Sequence, residues 1–219
     1  CLTIPTSDTV FRVPAGEGVD REGLTTLAAH ARYGCAFGIP GALLEGQVAT
    51  QTGHGGRVAA WAGYASAGYQ WSDLPWKPAL VVRYARWSGD DPGTARYERW
   101  DPLLTAGSDE WAQGLTFSKV VSNSNLETYR LRLFVGPSPR VNVTLDYFRY
   151  AALERNNLGG NPALSQLTST DLGDELMLIV RWQVSEHLFL QGVVSNAWPG
   201  DAIDDATGGR ASSWTSVQC

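Results

Sequence analysis

The sequence predicts an all-β protein, an antiparallel transmembrane β-barrel with about nine to ten strands in this chain, and three observations carry the prediction. Apolar and polar residues alternate with a period of two through most of the chain, and the helical period is nearly absent. Most alternating runs are 11–15 residues long. That exceeds the roughly 5–6 of a globular strand and suffices for the roughly 9–11 of a tilted membrane-crossing strand. The connections between runs alternate short and long, as in outer-membrane barrels with tight periplasmic turns and longer outer loops.

The first strand, 23–34, sets Leu27, Ala29, Ala31 and Tyr33 against His30 and Arg32. The next, 41–53, sets Leu44 and Val48 against Glu45, Gln47 and Gln51. Strand 57–71 carries Trp61, Ala65, Ala67, Tyr69 and Trp71 on one side, with Ser66 and Gln70 on the other. In 78–89, Leu80, Val82 and Tyr84 oppose Arg83. Strand 124–136 has the clearest alternation, with Leu131, Leu133 and Val135 against Arg130 and Arg132. Its partner 140–152 alternates Val141, Val143, Leu145 and Tyr147 with Asn142, Thr144 and Asp146. Strand 172–184 places Leu176, Leu178, Val180 and Trp182 opposite Arg181 and Gln183. Strands 187–198, with Gln191 on the polar side, and 211–219 complete the nine. Thr9–Val13 is the candidate tenth, within an N-terminal strand and loop segment (1–22) of one barrel domain spanning 1–219.

The short connections are 35–40, 72–77, 137–139 and 185–186; the long ones are 90–123, 153–171 and 199–210, with 54–56 the exception. Segments 72–77, 137–139 and 185–186 are expected at the periplasmic side and the long ones at the outer side. A regular hairpin through 137–139 would set Val135 opposite Val141, Arg130 opposite Asp146 and Arg132 opposite Thr144. In water, the apolar face would form a patch larger than soluble monomers tolerate, whereas facing lipid it is expected. Its large aromatics fall near strand ends, where membrane interfaces lie. The polar face would cost too much desolvation in a dry core but suits a water-filled lumen.

Composition excludes several classes. A net charge of −5 gives no basic face for nucleic acid. Three cysteines in 219 residues are too few for a disulfide scaffold. No apolar run is long enough for a transmembrane helix. Enzyme signatures are poor: Tyr64-Ala65-Ser66-Ala67-Gly68 lacks the first glycine of a nucleophile elbow, and His30, His54 and His187 fall in three separate regions. No catalytic residue and no cofactor is assigned. The loop acids Asp90, Asp91, Asp101, Asp201, Asp204 and Asp205 offer hard-cation ligands such as Ca²⁺ would take, and solvated acidic loops are the competing reading.

Four motifs, in order, carry a resemblance. Leu74-Pro75-Trp76-Lys77-Pro78 leads a strand ending Tyr84-Ala85-Arg86-Trp87-Ser88-Gly89-Asp90. Then come Arg99-Trp100-Asp101-Pro102-Leu103, Asp171-Leu172-Gly173-Asp174-Glu175-Leu176 and Trp198-Pro199-Gly200-Asp201. This order, across most of 23–201, resembles the alginate export porin family of Gram-negative outer membranes. The resemblance implies an 18-stranded barrel with an arginine-lined lumen, of which this chain would be the C-terminal half; the alternative is a reduced barrel. It also implies a location in the bacterial outer membrane, with contacts to its lipid and lipopolysaccharide and to periplasmic export proteins.

The expected activity is passive export of an anionic, alginate-like polyuronate, with no reaction. The lumen residues expected to meet it are Arg32, Arg83, Arg130, Arg132, Arg181 and Asp146. A row of fixed guanidinium groups offers weak, repeated sites to a polymer with a carboxylate on every sugar. The alternatives are a general or substrate-specific anion porin and, from another class, a soluble sugar-binding β-sandwich.

Overall fold

The computed structural model describes residues 2–3, 10–11, 19–53, 56–102, 114–156 and 164–218. Its main feature is a ten-stranded, fully antiparallel sheet. The long strands are β4 (Thr25–Gly34), β5 (Ala42–Gly53), β6 (Val58–Gln70), β7 (Ala79–Trp87), β8 (Leu126–Ser138), β9 (Val141–Ala151), β10 (Asp171–Gln183) and β11 (Phe189–Pro199), followed by the shorter β12 (Trp214–Gln218). These are the nine strands the alternation predicts, each paired with its sequence neighbour. The tenth member differs from expectation. It is β1 (Leu2–Thr3), which pairs with β4. Val10–Phe11 (β2) instead pairs with Val19–Asp20 (β3) in a separate small ladder. Among the described residues no ladder joins β1 to β12, so the sheet forms a barrel wall that is not closed.

Strands β6, β8 and β10 each run 13 residues. At about 3.3 Å per residue they span roughly 43 Å, which a tilt of about 45° brings to the thickness of a bilayer's hydrocarbon core. The connections sort to two ends as expected. At one end Gly136 N–H donates to the Trp76 carbonyl and Gln183 N–H to that of Arg140, both at 2.8 Å, tying the short turns together. At the other end the long connections meet: Asn125 Nδ2 donates to the Glu154 carbonyl at 2.7 Å, and Thr168 Oγ1 to Asp205 Oδ2 at 2.5 Å.

The β8–β9 register needs correction. Arg130 lies opposite Phe148, Arg132 opposite Asp146 and Val135 opposite Val143. The turn is the two residues Pro139–Arg140, later than expected, and with a one-residue bulge between Val135 and Ser138 it leaves the ladder two residues from the expected register. Pro137 has no N–H to give a ladder, so a bulge there loses little. A shift of two preserves which face every side chain takes.

The two faces are as the alternation implies. Leu27, Val48, Trp61, Val82, Leu131, Tyr147, Leu178 and Trp182 stand exposed on one face. The other, termed inner because the long connections fold onto it, is not uniformly polar. Toward the long-connection end it is a dry core of Ala62, Tyr64, Ala85, Trp87, Leu126, Phe148 and Tyr150. Phe117, Leu164, Leu167, Leu172 and Ile203, from the connections and the start of β10, pack against it. The short helix α1 (Asp201–Ala206) brings Ile203 there.

Candidate functional site

Below that packed zone, at mid-strand, the inner face carries arginines. Adjacent ladders place Arg32 opposite Glu45, Glu45 opposite Ser66, Ser66 opposite Arg83 and Arg83 opposite Arg130. One register step toward the turns lies Arg132, opposite Asp146. Arg32, Arg83, Arg130 and Arg132 line a single pocket with Leu43, Glu45, Ser66, Gly68 and Val81. Its position follows from alternation, because even-numbered residues of β4 and β8 and odd-numbered residues of β7 share the inner face.

Each charge has identifiable support. Arg83 Nε donates to Ser66 Oγ at 2.9 Å, and its guanidinium lies 4.5 Å from the centroid of the Tyr64 ring. Tyr64 Oη in turn donates to Glu45 Oε1 at 2.9 Å, and His30 Nε2 lies 3.1 Å from the same oxygen. Arg132 makes a two-pronged pair with Asp146, Nε to Oδ1 and Nη2 to Oδ2 at 2.7 Å each. Asp146 is fully buried there. Arg32 is the most open, its side chain 64% exposed and 4.0 Å from Glu45. Arg32 is thus beside Glu45, and Arg132 beside Asp146.

The cross-strand placement of Arg83 and Arg130 is informative. Like charges directly opposite one another are destabilising in a sheet. Arg83 and Arg130 are nevertheless neighbours in register and almost fully buried. Residues that break a local rule are expected where function requires it.

Five of the six expected site residues are thus brought together: Arg32, Arg83, Arg130 and Arg132 line the pocket, and Asp146 joins through Arg132. Asp146 pairs with Arg132 rather than with Arg130 because of the two-residue offset. Arg181 lies outside this pocket and is half-buried, its Nε donating to Gln191 Oε1 at 2.9 Å. Ser66 lies in mid-strand, not at a strand-to-helix elbow. The loop acids are engaged singly: Asp90 accepts Glu98 N–H, Asp91 accepts Gly93 N–H and Asp101 pairs with Arg21. Among the described residues no three His, Cys, Asp or Glu side chains converge as metal ligands; His54 lies outside the described residues. Arg86 faces outward, its guanidinium 5.4 Å from the centroid of the Trp61 ring.

Sequence reading missed one functional group, Glu175. It is fully buried on the inner face of β10 and accepts three successive backbone N–H groups from Leu115, Thr116 and Phe117. The available signal was its parity with Arg181 on one strand, which marks a carboxylate on the inner face.

The motifs carrying the family resemblance acquire a structural meaning. Ser88 Oγ donates to the Glu98 carbonyl and accepts the Trp61 N–H. Gln51 exchanges two 2.8 Å bonds with the Asp101 backbone, while Arg21 grips the Asp101 carboxylate through Nε and Nη2 at 2.5 and 2.8 Å. Burial pushes the Asp101 carboxyl up, and Arg21 opposes that shift. Gly173, at φ +127°, lets the Trp198 carbonyl approach to within 2.1 Å of where a Cβ would stand. Most of the motifs are thus fastenings of the long connections; the first, around Trp76, fastens the short turns.

A wall of long antiparallel strands with an apolar outer face and an arginine-bearing inner face defines an outer-membrane β-barrel transport protein. Residues 24–216 match the family described as Alginate export, and the chain belongs to that family. It is a family of outer-membrane transport channels rather than enzymes, which gives this chain a role in alginate export. No curated protein matches the chain.

Proposed function

We propose that this chain forms part of the wall of a passive outer-membrane pore, and that the pocket formed by Arg32, Arg83, Arg130 and Arg132 is a station on the path of an anionic polyuronate. The observation that carries the reading is the gathering of Arg32, Arg83, Arg130 and Arg132 around one inner-face pocket, with Arg83 directly opposite Arg130 in register. Several guanidinium groups around one pocket offer a uronate carboxylate weak, repeated attraction without an irreversible grip. Arg181, nearer the short turns, serves as a weaker, solvated contact on the same path. Asp146 braces Arg132 rather than meeting the polymer.

The long connections face the cell exterior and the short turns the periplasm. Cysteines placed at Ser118 and at Ser138 should therefore react with an impermeant reagent from outside only at Ser118.

The test of substrate class is current block. In planar bilayers, oligouronates should block anion current through the full chain at concentrations where equal carboxylate supplied as acetate does not. Equal block by both would leave the general anion porin, and an assembled barrel containing this chain that carries no current would overturn the pore reading.

A further inference from the structure

The strongest unassigned feature is the Glu175 carboxylate, which the arginine pocket does not use. It sits on β10 opposite Phe148 of β9 and Ala197 of β11. Oε1 accepts Leu115 N–H at 2.7 Å and Thr116 N–H at 2.9 Å; Oε2 accepts Phe117 N–H at 2.9 Å and Tyr150 Oη at 3.3 Å. Ser195 Oγ donates to Oε1 as well. Successive backbone N–H groups form an anion-binding concavity. Here the anion is a side chain of the barrel wall, and the concavity belongs to the connection.

The surroundings are built for this contact. Gly114 precedes the three N–H groups at φ +71°, and a Cβ there would stand 2.4 Å from Glu175 Oε2 and 2.6 Å from Tyr150 Oη. Phe117 stacks on Tyr150 at 4.2 Å between centroids, and Tyr150 on Phe148 at 5.6 Å. Thr116 Oγ1 lies 2.9 Å from both Ser195 Oγ and Ser216 Oγ. Segment 114–121 thus reaches β9, β10, β11 and β12, and the aromatic stack runs down to Phe148, the register neighbour of Arg130.

We propose that Glu175 is the positioning residue that holds segment 114–121 against the inner face, fixing the width of the path above the arginine pocket and thereby which polymers pass. The proposal rests on the pore reading for its consequence but not for the contact itself. An ionised carboxylate satisfies all five donors. An amide in its place keeps one acceptor oxygen and turns an N–H₂ toward the remaining donors. Glu175→Gln therefore releases the segment while leaving the strand ladders whole. Gly114→Ala breaks the same contact from the other side, its Cβ crowding the carboxylate without replacing it.

The experiment measures two things on the full chain and on both variants in the same detergent or bilayer. The first is amide hydrogen exchange. Leu115, Thr116 and Phe117 should be protected in the native chain and exchange at least tenfold faster in Glu175→Gln and Gly114→Ala, with the β8 and β9 amides unchanged. The second is single-channel current. Both variants should conduct more and be blocked less by long oligouronates, with ion selectivity retained.

Unprotected amides at 115–117 in the native chain would overturn the proposal whether or not either variant folds. So would faster exchange spread equally over β8 and β9, which would make Glu175 a general stabiliser. Faster local exchange without any change in conductance would retain the contact and overturn its role in setting the path. Absence of channel activity in the native chain would count against the pore reading alone, because amide exchange tests the contact independently.

Discussion

The two halves of the inner face are built on opposite principles, although the same strands cross both. Toward the long connections the face is dry: Trp87, Leu126, Phe148 and Tyr150 are almost fully buried under Phe117 and the connections. Toward mid-strand the same β7 and β8 carry Arg83, Arg130 and Arg132. The first half derives its order from aromatic packing, the second from ion pairs and hydrogen bonds. Burial in the dry half sets strand register rigidly, and rigid register can hold two arginines opposite each other. The contrast teaches that the packed zone is the scaffold on which the charged zone, the proposed site, is held.

Substitutions should separate the halves. Trp87→Ala, in the dry half, should cost about 3–5 kcal/mol through loss of packing and an unfilled cavity. Unfolding by urea in detergent measures it, and the reversal potential of the surviving channels should not move. Asp146→Asn, in the charged half, should cost about 3 kcal/mol because Arg132 loses its buried partner. Unlike Trp87→Ala, it should also make the channel more anion-selective, and an unchanged reversal potential would show that Arg132 does not face the path. Arg132→Met combined with Asp146→Leu should recover most of the stability, since apolar replacement of a buried pair is often neutral.

Arg32→Gln should change stability by less than about 0.5 kcal/mol, since the side chain is mostly exposed, yet lower anion selectivity measurably. Loss of stability without loss of selectivity would move Arg32 from the site to the scaffold.

The smallest effect concerns pH. Burial raises the Asp101 carboxyl above its ordinary value, so the folded protein holds that proton more tightly than the unfolded chain does. In the acidic window above about pH 4, the stability contributed by this fastening should therefore fall as pH rises. Asp101→Asn should flatten that slope, which amide exchange at Arg99 and Trp100 would read.

Much of this was legible in the sequence because strand periodicity is a one-dimensional signal. Alternation in Tyr129–Val135 and Val141–Tyr147 gave both strands and both faces. It placed Arg83, Arg130 and Arg132 on one surface and Leu131 and Leu133 on the other. Two kinds of fact lay outside it. Register depends on the turn, and the turn at Pro139–Arg140 together with the bulge before it moved Asp146 from Arg130 to Arg132. The dry half depends on segments without periodicity, because nothing in the run from Gly114 to Phe117 announces a concavity for a distant carboxylate. The Arg99–Asp101 and Asp171–Glu175 motifs were visible as strings, but their role as fastenings required knowing what they touch.

The central claim is that the arginine-lined pocket at mid-strand lies on an anion path. The most direct measurement is the reversal potential of the full chain under a KCl gradient, compared with Arg32→Gln/Arg130→Gln. The account predicts an anion-selective native channel and a variant that folds, conducts and has lost most of that selectivity. A cation-selective native channel, or a folded double variant with undiminished anion selectivity, would contradict it.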